Sequence, residues 1–166
     1  MIDLGELYVP DVKKLLMLHI DLIIVDYEGS VFDACCLALL CSLYTLRIPS
    51  YSMKDDEIVI NYGIFFIFQE SLVDTYRKLS IREIPISITF GLFDDFEVLD
   101  PDVFEEELIE DSVTILLGTN NKILSVLKSG GKAITESILT TLRDKARDRY
   151  NDIYSKIEEF KLSLSM

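Results

Sequence analysis

The hydrophobic pattern is densest between Leu18 and Pro49 (LHIDLIIVDYEGSVFDACCLALLCSLYTLRIP). His19–Tyr27 is a β-branched, apolar run interrupted only by Asp21 and Asp26, the signature of an interior strand apolar on both faces. Glu28-Gly29 follows as a turn, in which glycine takes a positive φ at little cost. Ser30 then stands where a helix N-cap belongs, with Asp33 at the spacing of a capping box. Val31–Leu46 is apolar almost all round, which predicts a helix covered by protein on every side. Pro49 closes the segment, because the residue before a proline is pushed out of the α region.

The flanking pattern is weaker upstream and regular downstream. Leu7-Tyr8-Val9 is a short strand fragment in a polar lead-in. After Pro49 a polar loop is expected, then a short strand at Glu57–Asn61 and a helix within the Phe-rich stretch 62–79. Ile86–Phe93 alternates with period two and Asp94-Asp95 turns it back into Glu97–Leu99, a hairpin. Ser112–Leu117 and Lys122–Lys128 are strands joined by Gly118-Thr119-Asn120-Asn121, and Ser129-Gly130-Gly131 is a loop. Thr135 is the expected N-cap of a last helix, about 136–161. Its apolar residues Leu139, Leu142, Ala146, Tyr150, Ile153, Ile157 and Phe160 step by three and four, with charges opposite. Together these elements predict an α+β domain: a mixed sheet built from hairpins, a buried helix after Ser30 and a long C-terminal helix packed alongside.

Composition narrows the function classes. At 166 residues the chain has the size of one domain with a substantial core. Its formal net charge is −13, from 29 acids and 16 bases. Affinity for nucleic acid comes largely from Lys and Arg neutralising phosphates, so the chain is a poor RNA binder by itself and suits basic protein partners instead. Cys35, Cys36 and Cys41 lack zinc-site spacing and read as small apolar fillers in a reducing compartment. Asp3, Glu6 and Asp11 come too early for a signal peptide. The longest apolar helix falls short of a membrane span. An intracellular soluble protein, with no membrane partner, is the expectation.

The densest candidate chemistry is the acidic run Asp100, Asp102, Glu105, Glu106, Glu107, Glu110 and Asp111. Carboxylates at this density bind Mg²⁺ or serve as acid and base, or form a solvated acidic loop. Lys128-Ser129-Gly130-Gly131-Lys132 is the one phosphate-loop candidate, but its glycines lack the spacing of a nucleotide-binding loop, and it reads as a structural turn. His19 is the single histidine and has no cysteine or second histidine near it in sequence. It reads as structural.

The arrangement strand-D-Y-E-G-S-x-x-D-A, small-residue helix, Arg47-Ile48-Pro49 resembles the second half of an RNase PH-type module, as in the ring subunits of the RNA exosome. The Leu7-Tyr8-Val9 lead-in and the Lys78–Pro85 approach to the next strand are similar too. The resemblance implies an RNase PH-like fold (ribosomal protein S5 domain 2-like), with residues 1–166 a single partial domain and 62–79 an insertion. The upstream half, which supplies further strands, lies outside this chain. An open edge and a bare helix face are therefore expected to make the chain self-associate or require partner subunits.

The same resemblance gives the acidic run a specific test. Active relatives read V-L-D-x-D-Y-x-x-D-x-x-x-x-x-D before the next strand. Here their first catalytic aspartate falls on Glu106 and the second on Ser112, a hydroxyl with no acidic pKa in range. The stretch L-D-P-D-x-x-E-E-E resembles the inert ring subunits better than the phosphorolytic ones. What the resemblance implies is a non-catalytic ring subunit, without cofactor or metal. It would sit beside other RNase PH-like subunits and cap proteins, in nucleus, nucleolus and cytoplasm, with RNA reaching it only through the ring. The two alternatives are an active phosphate-dependent 3′–5′ exoribonuclease and a free-standing α+β interaction domain.

Overall fold

The computed structural model describes residues 2–10, 13–54, 57–61, 76–94 and 96–164, with the side chains of 50–61 excepted. The chain divides into two compact units, residues 1–20 with 42–82 and residues 21–41 with 83–166.

The first unit is built from short antiparallel pairs. A 3-10 turn at Leu4–Leu7, capped by the Asp3 carboxylate, leads into β1 (Tyr8–Val9), which pairs with β2 (Lys14–Leu15). β3 (Arg47–Lys54) lies between β4 (Glu57–Asn61) and β5 (Tyr76–Lys78). The backbone after Pro49 is thus strand rather than polar loop. Pro49 is accommodated because β5 meets β3 only at Arg47–Pro49 and β4 only at Ser50–Lys54, so each stretch has one ladder neighbour. The helix expected over 62–79 is replaced at 76–78 by β5, and 62–75 lie outside the described residues.

The second unit holds the main core. Its sheet has the order β7 (Phe96–Leu99), β6 (Ile86–Phe93), β8 (Asp111–Gly118), β9 (Lys122–Lys128). Ile86, Ile88 and Phe90 of β6 face Leu117, Ile115 and Val113 of β8, all buried. α3 (Glu136–Ser163) lies on this face through Leu142, Ala146, Tyr150 and Ile157. Each such aliphatic or aromatic side chain contributes about 1.5–3 kcal/mol by leaving water. Thr135 caps α3, accepting from the Ile138 N–H at 3.3 Å, and the Tyr150 hydroxyl donates to the Ile84 carbonyl. Periodicity located this helix and its buried stripe correctly.

Three expectations are corrected. Every pairing among the described strands is antiparallel, so the sheet is not mixed. Within the four-stranded sheet short hairpins and one six-residue helix suffice as connections, whereas parallel neighbours need long crossovers. His19–Tyr27 is not an interior strand: it belongs to no sheet and is exposed throughout. A run apolar on both faces needs a neighbour for its backbone and cover on each side, and no described strand lies alongside it. α1 (Val31–Thr45) forms as predicted but is not covered all round. Leu40 and Leu43 are buried, while Phe32 and Leu37 stand open to solvent.

Candidate functional site

α2 (Val103–Leu108) was not foreseen, although its signal was present. Asp102 accepts from the N–H groups of Phe104 and Glu105, and Glu105 reaches back to the Asp102 N–H, a complete capping box. The connection from β7 to β8 carries this helix across β6. Ile109 then sits over Gly91, where a Cβ would lie 2.0 Å from Ile109 Cδ1. The acidic run is therefore an ordered helical crossing.

The capping box expected at Ser30 and Asp33 is not formed. Gly29 has φ +95°, as the turn required, and a Cβ there would meet the Pro101 carbonyl oxygen at 2.2 Å. Ser30 is itself left-handed (φ +41°), and its hydroxyl donates to the Pro101 carbonyl at 3.3 Å instead of accepting from the helix. Its own carbonyl receives the first helical N–H groups, from Asp33 and Ala34. Asp33 turns to β6, accepting from the Thr89 N–H at 2.7 Å and the Thr89 hydroxyl at 3.0 Å. Burial pushes the Asp33 carboxyl above the usual carboxylate range, against the pull of its hydrogen bonds from Thr89.

Glu106 of α2 and Ser112 of β8 line one hollow of about 290 Å³ with Thr89, Pro101, Ile109, Glu110, Asp111 and Ser129. Glu106 uses one carboxylate oxygen on the Ser30 N–H at 2.9 Å and the other on the Tyr27 hydroxyl. That bond raises the Tyr27 phenol above its ordinary value. The Ser112 hydroxyl is paired with the Ser129 hydroxyl at 2.7 Å.

Asp111, one residue before, also edges this hollow, but its carboxylate is taken up by other partners. It is buried, takes Lys128 Nζ at 3.0 Å and the Lys132 N–H at 2.8 Å, and is held below the ordinary carboxylate range chiefly by Lys128. Gly131 (φ +70°) wraps against it so closely that a Cβ would stand 1.4 Å from Asp111 Oδ1. The K-S-G-G loop is thus folded around a carboxylate.

A larger hollow of about 440 Å³ lies between α1 and α3, walled by Leu37, Cys41, Ile153, Ile157 and Phe160, and it holds neither Glu106 nor Ser112. His19 is exposed on the unpaired run. Cys35, Cys36 and Cys41 are half-buried in α1. Among the described residues no three His, Cys, Asp or Glu side chains converge to hold a metal, and no helix is long and apolar enough to cross a membrane.

Residues 83–149, the hairpin sheet and the first half of α3, match the 3′ exoribonuclease family, domain 2. The exosome complex component Rrp42 of Methanothermobacter thermautotrophicus is 31% identical over 135 residues, covering 81% of this chain and 46% of the relative. Rrp42 of Aeropyrum pernix is 26% identical, covering 95% and 54%. The exosome complex component rrp43 of Schizosaccharomyces pombe is 28% identical, covering 90% and 52%. The chain thus spans about half the length of the curated relatives it matches. Among solved structures, an Archaeoglobus fulgidus exosome with RNA bound to its active site superposes with a TM-score of 0.58 at 19% identity, over 80% of this chain and 45% of that one. Rice Rrp46 gives 0.51 at 14%, over 84% and 50%. The fold is RNase PH-like, and residues 83–149 match domain 2 of the 3′ exoribonuclease family in a chain that is similar to exosome ring subunits.

Proposed function

We propose that this chain serves as a non-catalytic, structural subunit of an RNA exosome ring, supporting 3′–5′ RNA processing and degradation carried out elsewhere in the particle. The observation that carries the reading is Ser112. Where the resemblance puts the second catalytic aspartate stands a hydroxyl engaged with Ser129, which cannot protonate a leaving 3′-oxygen near neutral pH. Glu106, at the first position, has both oxygens engaged by Tyr27 and Ser30. Inorganic phosphate would enter a hollow edged by Glu106, Glu110 and Asp111, and the nearest cations, Lys128 and Lys132, are paired with Asp111 and Glu110. Like charge disfavours phosphate there. The partners under this reading are other RNase PH-like ring subunits and cap proteins, in nucleus, nucleolus and cytoplasm, with RNA passing through the ring.

The test is twofold. Incubated with single-stranded RNA and inorganic phosphate, the chain should release no nucleoside diphosphate. Expressed with tagged RNase PH-like subunits of its own organism, it should co-purify in a stoichiometric particle. Phosphate-dependent release abolished by Glu106→Gln would favour the active exoribonuclease, and failure to enter any ring would favour a free-standing interaction domain.

A further inference from the structure

The first unit carries a basic face that its own acids leave unneutralised. In the β3–β5 ladder Arg47 stands directly opposite Lys78, and Pro49 directly opposite Tyr76. Residues opposite one another, and residues two apart along a strand, share a face. Arg47, Lys78 and Tyr76 therefore lie together. All three are exposed, whereas Ile48, which points to the other face, is buried. Like charges directly across a strand pair repel. Among the described residues neither Arg47 nor Lys78 has an ion pair or a side-chain hydrogen bond to offset this. Asp3 and Glu6, the acids of this unit with described side chains, are committed elsewhere. Asp3 holds Arg82 and the Gly5 N–H, and Glu6 holds the Ser80 N–H.

We propose that this face of β3 and β5 holds single-stranded RNA, with Arg47 and Lys78 on backbone phosphates and a base stacked on the Tyr76 ring. An anionic group between the two cations relieves their repulsion. Cations that track a phosphate backbone, with an aromatic platform beside them, are the combination by which single strands are held. An acidic protein segment would satisfy the cations and leave Tyr76 without a role. The net charge of −13 opposes RNA over the chain as a whole. At a chosen spot it weighs little, because exposed charges beyond a Debye length, about 8 Å at physiological salt, are largely screened. The choice of RNA as the polyanion rests on the exosome reading, while the binding itself is a property of the chain alone.

Fluorescence anisotropy of the full chain with a labelled oligoadenylate, across a salt series, tests it. The logarithm of the affinity should fall against that of the salt concentration with a slope of about −1.4, about −0.7 for each of two neutralised phosphates. Arg47→Ala or Lys78→Ala should weaken binding and bring the slope to about −0.7. Tyr76→Ala should weaken binding about tenfold, the loss of one base stack, and Tyr76→Phe should bind like the parent. Lys156→Ala, at an exposed cation of the second unit, should change nothing. Circular dichroism of each variant establishes that the fold is intact. A parent chain that does not bind overturns the proposal. So do alanine variants at 47, 76 and 78 that bind like the parent, or Lys156→Ala binding as weakly as they do. A polyglutamate peptide held as tightly as the oligoadenylate, and indifferent to Tyr76→Ala, replaces RNA with an acidic protein segment. RNA binding that persists in a chain entering no ring supports this face and counts against the exosome reading alone.

Discussion

The Glu106 carboxylate accepts a hydrogen bond from the Ser30 backbone N–H at 2.9 Å, joining the start of α1 to α2 across 76 residues of sequence. Glutamate reaches Ser30 and Tyr27 together because its chain is one methylene longer than aspartate. The residue at the first catalytic position of the resembled enzymes thereby acts as a clamp on the chain entering α1. Glu106→Ala should cost about 1–3 kcal/mol, the range for losing a charged hydrogen-bond partner. Glu106→Gln, which keeps an acceptor, should cost less. Denaturant unfolding measures both, and an alanine variant as stable as the parent would remove the clamp.

The turn before α1 separates two further substitutions. Gly29→Val forces a β-branched residue to φ +95° and drives its Cβ toward the Pro101 carbonyl oxygen. Ser30→Ala deletes one buried side-chain bond to that same carbonyl, at about 1 kcal/mol. Gly29→Val should therefore lower Tm by clearly more than Ser30→Ala. Equal shifts would mean that Pro101 does not approach this turn.

Asp111 and Asp33 should act in opposite directions on acidification. Asp111 is held low by Lys128, so its folded value lies below its unfolded one. Its stabilising contribution is present at neutral pH and lost as pH falls through the folded value. Asp33 is raised by burial. It binds its proton more readily when folded, so its contribution grows as pH falls from above the folded value toward the ordinary aspartate value. Unfolding midpoints between about pH 7 and pH 2 should show the acid loss diminished in Asp111→Asn. In Asp33→Asn the opposing gain should disappear. Parallel curves for parent and both variants would contradict these assignments.

Gly91 and Gly131 are two of the sites where an added methyl group would run into a neighbouring side chain. Gly131→Ala adds left-handed strain and places Cβ on the Asp111 carboxylate. It should open the 128–132 loop and cost about 1–3 kcal/mol, as strain at such φ values does. Gly91→Ala meets the Ile109 side chain and no backbone, so repacking should hold the loss to about 1–3 kcal/mol. Hydrogen exchange should show faster opening at Lys132 in the first variant and at Glu110 in the second.

Local chemistry made much of the chain legible. The Ile86–Phe93 alternation and the three-and-four stepping of Leu142, Ala146, Tyr150 and Ile157 are periodicities each element carries within itself, and they also mark the faces that meet in the core. Gly29 announced a left-handed turn, and Thr135 a cap, because both roles are decided within a few residues. The resemblance put Glu106 and Ser112 at equivalent positions before any coordinates. What needed the tertiary structure were the contacts made at long sequence separation. Nothing near Ser30 in sequence says that Glu106 will hold its N–H, or that Asp33 will leave the helix end for Thr89. Nor does the K-S-G-G run say that it encloses Asp111. The apolar run at His19–Tyr27 shows the same limit from the other side. Its composition says that both faces prefer cover, but burial is a relation between segments, and whether a neighbour lies alongside is decided only when the whole chain is placed.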